Sequence, residues 1–140
     1  MRRDDLKCPS ARPEMPGSVV LGVVREIDGE AFVHHLAEPL PVTPDILALA
    51  GTAPVGSVFR LAATCAEDAC AHFDGQRCRL AAKLAESPPE RARTLPACRI
   101  RNDCRWYVQE GKTACFVCPL IFSETATPTE HVAMAADPLR

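Results

Sequence analysis

An α+β fold is predicted, with a small β-hairpin lobe at the N-terminal end and a mainly helical, loop-rich lobe after it. Three observations predict it. Two runs rich in β-branched residues, SVVLGVVREI and EAFVHHL, flank Asp28-Gly29, the dipeptide that best supports a tight hairpin turn. Helical periodicity and helix caps occur only later in the chain. Seven of the eight cysteines lie between Cys65 and Cys118. With 47% hydrophobic and 24% charged residues in 140, the composition is that of a globular chain, neither disordered nor fibrous. Aromatics are only 5%, so the core must be built mainly from Ala, Val and Leu and will be thin. Something in the cysteine-rich segment replaces the missing burial.

Residues 1–17 carry Pro9, Pro13, Pro16 and Gly17 among scattered charges, show no apolar period and read as a flexible arm holding Cys8. A β-hairpin follows from about Val19 to Leu36. If Asp28 and Gly29 form its turn, Ile27 faces Glu30, Val24 faces Val33 and Val23 faces His34. In PLPVTPDILALAG, Thr43 can cap, Pro44 suits the first helical position, Asp45 complements the positive end and Gly51 supplies the stop, which gives a helix of two turns at most. SVFRLAAT fits a strand or a buried helix equally well. QRCRLAAKLAE has Cys78, Ala81, Ala82 and Leu84 near one helical face, with Ser87-Pro88-Pro89 as its stop. A polar linker reaches Leu95-Pro96, and a last helix is expected to start at Asn102 as cap and to stop at Gly111. The tail is again loose from about residue 123. The chain thus divides into an arm (1–17), a hairpin and short-helix lobe (18–64), a cysteine-rich lobe (65–121) and a flexible tail (122–140), with no internal repeat.

The net charge of −2 hides an asymmetry. The stretch 77–112, which opens on Arg77 and closes on Lys112, holds nine Lys/Arg against four Asp/Glu, or +5, leaving 7 against 14, or −7, for the rest. This excludes an overall basic coat for nucleic acid and marks one segment as a docking patch for an acidic protein partner. No apolar run approaches the ~20 residues that cross a bilayer, and MRRDDLKCPS has charges where a signal peptide needs its apolar stretch. A cytoplasmic location is the expectation. In that reducing compartment clustered cysteines point to metal ligands before disulfides.

From Cys65 the pattern is C-x4-C-x-H-x5-C-x19-C-x5-C-x10-C-x2-C, with His72 as the histidine and Cys118 followed by Pro119. Thiolates bind soft and borderline metals strongly, and a pair two residues apart reaches one centre from a single tight turn. Zinc modules supply their ligands as paired close knuckles, and only Cys115 and Cys118 make one. Iron–sulfur clusters are larger, accept wider and less regular gaps, and in ferredoxins have a ligand cysteine followed by proline. Iron–sulfur is therefore the leading expectation and zinc the alternative. The proposed division puts Cys98, Cys104, Cys115 and Cys118 on one [4Fe–4S] cluster, because closing that contiguous stretch costs least loop entropy. Cys65, Cys70 and Cys78 then hold a second cluster, either [4Fe–4S] completed by His72 or [3Fe–4S] with three ligands. Ferredoxins in which the last cysteine of a run crosses over mark Cys118 as the member able to change sets.

A buried cysteine or a basic helix face also has a purely structural reading. Seven cysteines within 54 residues exceed what packing alone asks for, whereas Cys8, with no second thiol within fifty residues, reads as a free thiol outside the site. His72 is either an eighth ligand or a cap or solvent-facing group, and His34, His35 and His131, without clustered partners, read as surface residues. Arg99, Arg101 and Arg105 interleave with Cys98 and Cys104, where cations would balance an anionic cluster, and Trp106 could keep water off the sulfurs. Phosphate-binding loops, zinc-protease motifs and nucleophile elbows are missing, so no familiar enzyme class is indicated.

PLPVTPDILALAG, FRLAATCAEDACAHFDGQRCRLA and LPACRIRNDCRWYVQEGKTACFVCP together resemble a group of small bacterial cysteine-rich proteins often labelled nitrogen-fixation proteins. The resemblance covers roughly residues 18 to 120. It implies no reaction, only iron–sulfur chemistry on Cys65, Cys70, Cys78, Cys98, Cys104, Cys115 and Cys118. The expected role is that of an electron carrier or accessory redox subunit of a partner enzyme. The alternatives are a redox or oxygen sensor, which needs exposed cluster sulfurs, and a zinc-stabilised module binding protein or nucleic acid.

Overall fold

A computed structural model describes residues 6–86 and 95–120. Asp28 and Gly29 both have positive φ, 54° and 81°, which is the type I′ geometry whose twist matches that of the strands it joins. The strands are β2 (Val19–Ile27) and β3 (Glu30–Pro41), in the register expected from the turn: Ile27 opposite Glu30, Val24 opposite Val33, Val23 opposite His34. The hairpin runs five residues past Leu36, because β3 continues through Glu38-Pro39-Leu40-Pro41 as an edge strand, where proline is tolerated. A bulge between Val20 and Gly22 shifts both of β2's ladders. Gly22 is required there: a Cβ would lie 2.7 Å from Val33 Cγ1 and 2.8 Å from the His34 carbonyl oxygen.

SVFRLAAT resolves into both alternatives. A helical turn, α2 (Val55–Val58), leads into β4 (Phe59–Thr64), whose residues are buried through Ala63, as suits a strand covered on both faces. β4 pairs with β2 on one side and with β1 (Lys7–Cys8) on the other, giving a four-stranded antiparallel sheet of order β1-β4-β2-β3. The arm expected over 1–17 is thus corrected. Its residues 7 and 8 form a sheet strand, Leu6, Pro9 and Ala11 are buried, and the Ala11 amide donates to the Leu61 carbonyl at 3.0 Å. The apolar period was absent because a two-residue strand is too short to show one.

Between β3 and α2 sits α1 (Pro44–Ala48), with Thr43 Oγ1 accepting from the Ile46 amide at 3.2 Å and Gly51 at φ 62° beyond its end. After β4 come a 3₁₀ turn at Glu67–Ala69, α3 (Arg79–Glu86), a 3₁₀ turn at Arg101–Asp103, α4 (Arg105–Glu110), α5 (Lys112–Val117) and a final turn at Cys118–Leu120. The helix expected from Asn102 begins later. Asn102 lies inside the 3₁₀ turn, Cys104 is the N-cap, and Gly111, at φ 76°, ends α4 and opens α5. The Ser87-Pro88-Pro89 stop, most of the linker after it, the tail and His131 lie outside the described residues.

Two apolar clusters result. One, under the sheet, joins Ala11, Val20, Phe59, Leu61 and Ala63, with Val42 and Ile46 beside them. The other joins α3, α4 and α5 through Ala81, Leu84, Trp106, Ala114 and Val117, and it includes Cys78, Cys104 and Cys118. The clusters are tied by β1, since Lys7 also bridges to Cys104. Among the described residues no helix is long and apolar enough to cross a membrane.

Candidate metal centres

The cysteines gather around two chambers. Cys65 follows β4, Cys70 follows the 3₁₀ turn, and Cys78 immediately precedes α3; all three line a cavity of about 960 Å³ together with Cys8, His72 and Arg105. Cys98, Cys104, Cys115 and Cys118 line a second, tight chamber of about 20 Å³ with His35, Arg101 and Pro9. Trp106, 2% exposed, belongs to both walls. The placement of Cys8 corrects its reading as a thiol outside the site.

Each of the eight sulfurs faces an N–H donor. In five cases this is the amide two residues on: Ser10 to Cys8, His72 to Cys70 at 3.4 Å, Leu80 to Cys78, Ile100 to Cys98 and Trp106 to Cys104. Cys78 and Cys104 also receive the amides of Ala81 and Tyr107. The other three receive guanidinium groups. Arg105 Nε donates to Cys65 Sγ at 3.1 Å, Arg101 donates to Cys115, and Arg60 Nη1 donates to Cys118 Sγ at 3.0 Å while its Nη2 holds the Cys118 carbonyl at 3.0 Å. Such donors favour thiolate over thiol.

Burial pulls the other way. It pushes the Cys8 and Cys104 thiols up to about 12, and raises Cys78, Cys98 and Cys115 as well. The thiols that repel one another stay within one chamber: Cys8 with Cys65, Cys78 and Cys70, and Cys104 with Cys118 and Cys98. A bound metal reverses this balance, because its charge deprotonates a coordinating thiol outright.

The arginines end up differently from one another. Arg60 is 1% exposed, and no carboxylate among the described residues pairs with it. Arg105, 7% exposed, reaches across from α4 to the first chamber, with its guanidinium 5.0 Å from the Phe73 ring centroid and 3.6 Å from Glu67 Oε2. Arg101 also donates to the Pro96 carbonyl. Arg99 lies at the surface on Glu38 at 2.6 Å, and Arg77 on Glu110 at 2.6 Å. The basic stretch therefore presents less free charge than its sequence suggests, since part of it points inward at sulfur.

Two histidines lie beside the chambers. His35 is half-buried beside the second chamber, its pKa lowered to about 4 by burial and by Arg60 and Arg101, which corrects its surface reading; His34 is exposed. His72 lines the first chamber as a neutral imidazole, its pKa lowered by burial first and then by Lys83 and Arg79, and its buried Nδ1 has no hydrogen-bond partner.

Arg60 is the functional candidate that sequence reasoning passed over. Its one signal was a charge inside an otherwise apolar strand run, FRLAA. Among the described residues no three His, Cys, Asp or Glu side chains converge as the ligands of one metal ion do; the thiols instead line the chamber walls. The donor set fits an anionic thiolate-bound group, and loading the second chamber requires its thiol side chains to swing apart. Comparison with known protein families, curated proteins and solved structures finds no match to this chain.

Proposed function

We propose that the protein binds two iron–sulfur clusters and carries electrons as a redox subunit of a partner enzyme. One cluster, of the [4Fe–4S] type, takes Cys98, Cys104, Cys115 and Cys118; the other takes Cys65, Cys70 and Cys78. The observation that supports this best is the convergence of amide and guanidinium donors on the sulfurs of both chambers, above all the buried Arg60 on Cys118. A permanent cation out of water needs a resident anion, and a thiolate-ligated cluster is one. When bound, a cluster supplies one-electron chemistry; the chain's part is to hold its sulfurs, set its charge environment and exclude water from it.

Anaerobic purification followed by iron, zinc and acid-labile sulfide analysis tests this. Iron and sulfide in equal amounts are expected. Zinc with no sulfide would replace the proposal with the zinc-stabilised binding module. Oxygen or redox sensing is favoured at the first chamber, whose cavity is much the wider; half-buried thiols occur in both, Cys65 and Cys70 in one and Cys98 and Cys115 in the other. In that case controlled air exposure bleaches the first-chamber signal well before the second. The partner is placed at the 77–112 stretch, in a reducing cytoplasmic setting. Arg99→Glu should weaken partner binding, and binding should weaken as salt rises.

A further inference from the structure

We propose that Cys8 is the fourth ligand of the first chamber, so that the eight cysteines form two four-thiolate sites. This rests on the iron–sulfur reading above and goes beyond it by replacing the three-thiol site, completed by His72 or left open, with a four-thiol one.

The sheet register places the sulfur there. Cys8 pairs directly with Ala63 on β4, so the two side chains share a face of the sheet. Cys65 lies two residues beyond Ala63, which returns its side chain to that same face. The ladder continues that far, with the Cys65 amide donating to the Leu6 carbonyl at 2.9 Å. Cys8 and Cys65 are therefore diagonal neighbours, a separation that a multi-iron cluster spans readily. Cys70 and Cys78 complete the lining of the cavity these two share. Cys8 cannot drift from this place. Pro9 next to it is fully buried in the wall of the second chamber, and Lys7 before it bridges both Thr64 and Cys104.

His72 is the competing fourth ligand: its imidazole lines the same cavity, and its buried Nδ1 has no hydrogen-bond partner. Its amide is spent on Cys70 Sγ and its carbonyl on the Arg79 amide at 2.7 Å. Cys8 is preferred on geometry, because the sheet register puts its side chain on the face that leads to Cys65, in the cavity that Cys70 and Cys78 also line. Ligation by Cys8 would be a ligand exchange without electron transfer: its thiol proton would leave to solvent, and its sulfur would replace a water otherwise bound to the cluster.

The full chain is reconstituted anaerobically with ferrous iron and sulfide as wild type, Cys8→Ala, Cys8→Ser, His72→Ala and Cys104→Ala, and iron, sulfide and EPR spectra are recorded for each. Cys8→Ala is expected to lose about half of the iron, or to convert the first cluster to a three-iron species, while the second-chamber signal persists and shows that the fold is intact. Cys8→Ser, nearly isosteric, should shift the first cluster's EPR line, and His72→Ala should leave both signals unchanged. Two wild-type clusters in Cys8→Ala, with loss of one in His72→Ala, would overturn the assignment of Cys8 alone. A wild type that takes up no iron or sulfide would overturn the iron–sulfur reading as well.

Discussion

Replacing Arg60 by Met probes the charge of the second chamber directly. The guanidinium cannot deprotonate, is 1% exposed, and spends two N–H groups on Cys118 at 3.0 Å each. In metal-free protein the exchange removes a buried cation, whose desolvation costs several kcal/mol. It also orphans the Cys118 carbonyl, at about 1–3 kcal/mol, so the two effects nearly cancel. In cluster-loaded protein the same exchange removes hydrogen bonds to a charged group worth about 1.5–3 kcal/mol each. It also removes the attraction felt by an added electron. With the electron centred ~7 Å from the guanidinium and an effective dielectric of ~20, that attraction is ~2.4 kcal/mol. At ~59 mV per tenfold change, it corresponds to a one-electron midpoint lowered by ~100 mV. Redox titration followed by EPR reads both clusters in one sample, and thermal unfolding compares loaded with metal-free protein. The expected result is a fall confined to the cluster on Cys98, Cys104, Cys115 and Cys118, with destabilisation only in the loaded form. Equal destabilisation of the metal-free protein, or an unmoved midpoint, would show Arg60 to be ordinary packing and refute the charge-balance reasoning.

Three further outcomes follow from particular contacts. Trp106→Ala should cost about 3–5 kcal/mol and make both clusters sensitive to air, because one side chain walls both chambers; denaturant unfolding and the decay of the two EPR signals measure this. Gly22→Ala should cost about 1–3 kcal/mol in the same unfolding assay and leave cluster content unaltered, since the added Cβ meets the His34 backbone 2.8 Å away and Gly22 lines neither chamber. With Cys8 and Cys104 raised to about 12, the folded metal-free protein holds protons that the unfolded chain releases near pH 9. Its stability should therefore fall as pH rises from 9 toward 12, and metal loading near pH 8 should release protons measurable in a pH-stat; a stability flat across that window would contradict the burial of these thiols.

The hairpin was legible because a local rule fixes it: Asp28-Gly29 sets the turn, and the turn sets every pairing as far as Gly22. The α1 cap at Thr43 was legible for the same reason. What escaped was non-local. Strand β1 is two residues long and gains its place only from β4, more than fifty residues away, so no window of sequence around Cys8 could reveal it. Arg60 reads as an interruption of an apolar strand, and only the arrival of Cys118 beneath it makes it a partner. Arg105 belongs by sequence to the segment of the second chamber, yet its side chain serves the first. Spacing did suggest how the seven clustered cysteines divide between the two chambers; that Cys8, Arg60 and Arg105 join them depended on contacts that spacing does not encode.

The two apolar clusters differ in a way that makes metal removal informative. The cluster under the sheet contains no cysteine, whereas the helical one counts Cys78, Cys104 and Cys118 among its buried members. Helices α3, α4 and α5 have eight, six and six residues, below the length at which a helix holds itself in water, so they depend on what they pack against. The β2–β3–β4 ladder closes its own hydrogen bonds and has Val20, Phe59 and Leu61 behind it. A cluster in each chamber would cross-link α3 to β1 and β4, and α4 to α5, giving the short helices the anchorage that their propensity cannot supply. Chelation of the loaded protein should then lower amide-exchange protection across 78–86 and 98–118 by several orders of magnitude and leave β2, β3 and β4 nearly as protected as before. The far-ultraviolet dichroism should lose helix and keep strand. Uniform loss of protection through sheet and helices would mean that the chain folds as one unit independent of its thiols, and uniform retention would mean that the helices pack without cofactor. Either result would remove the structural role assigned to the two chambers.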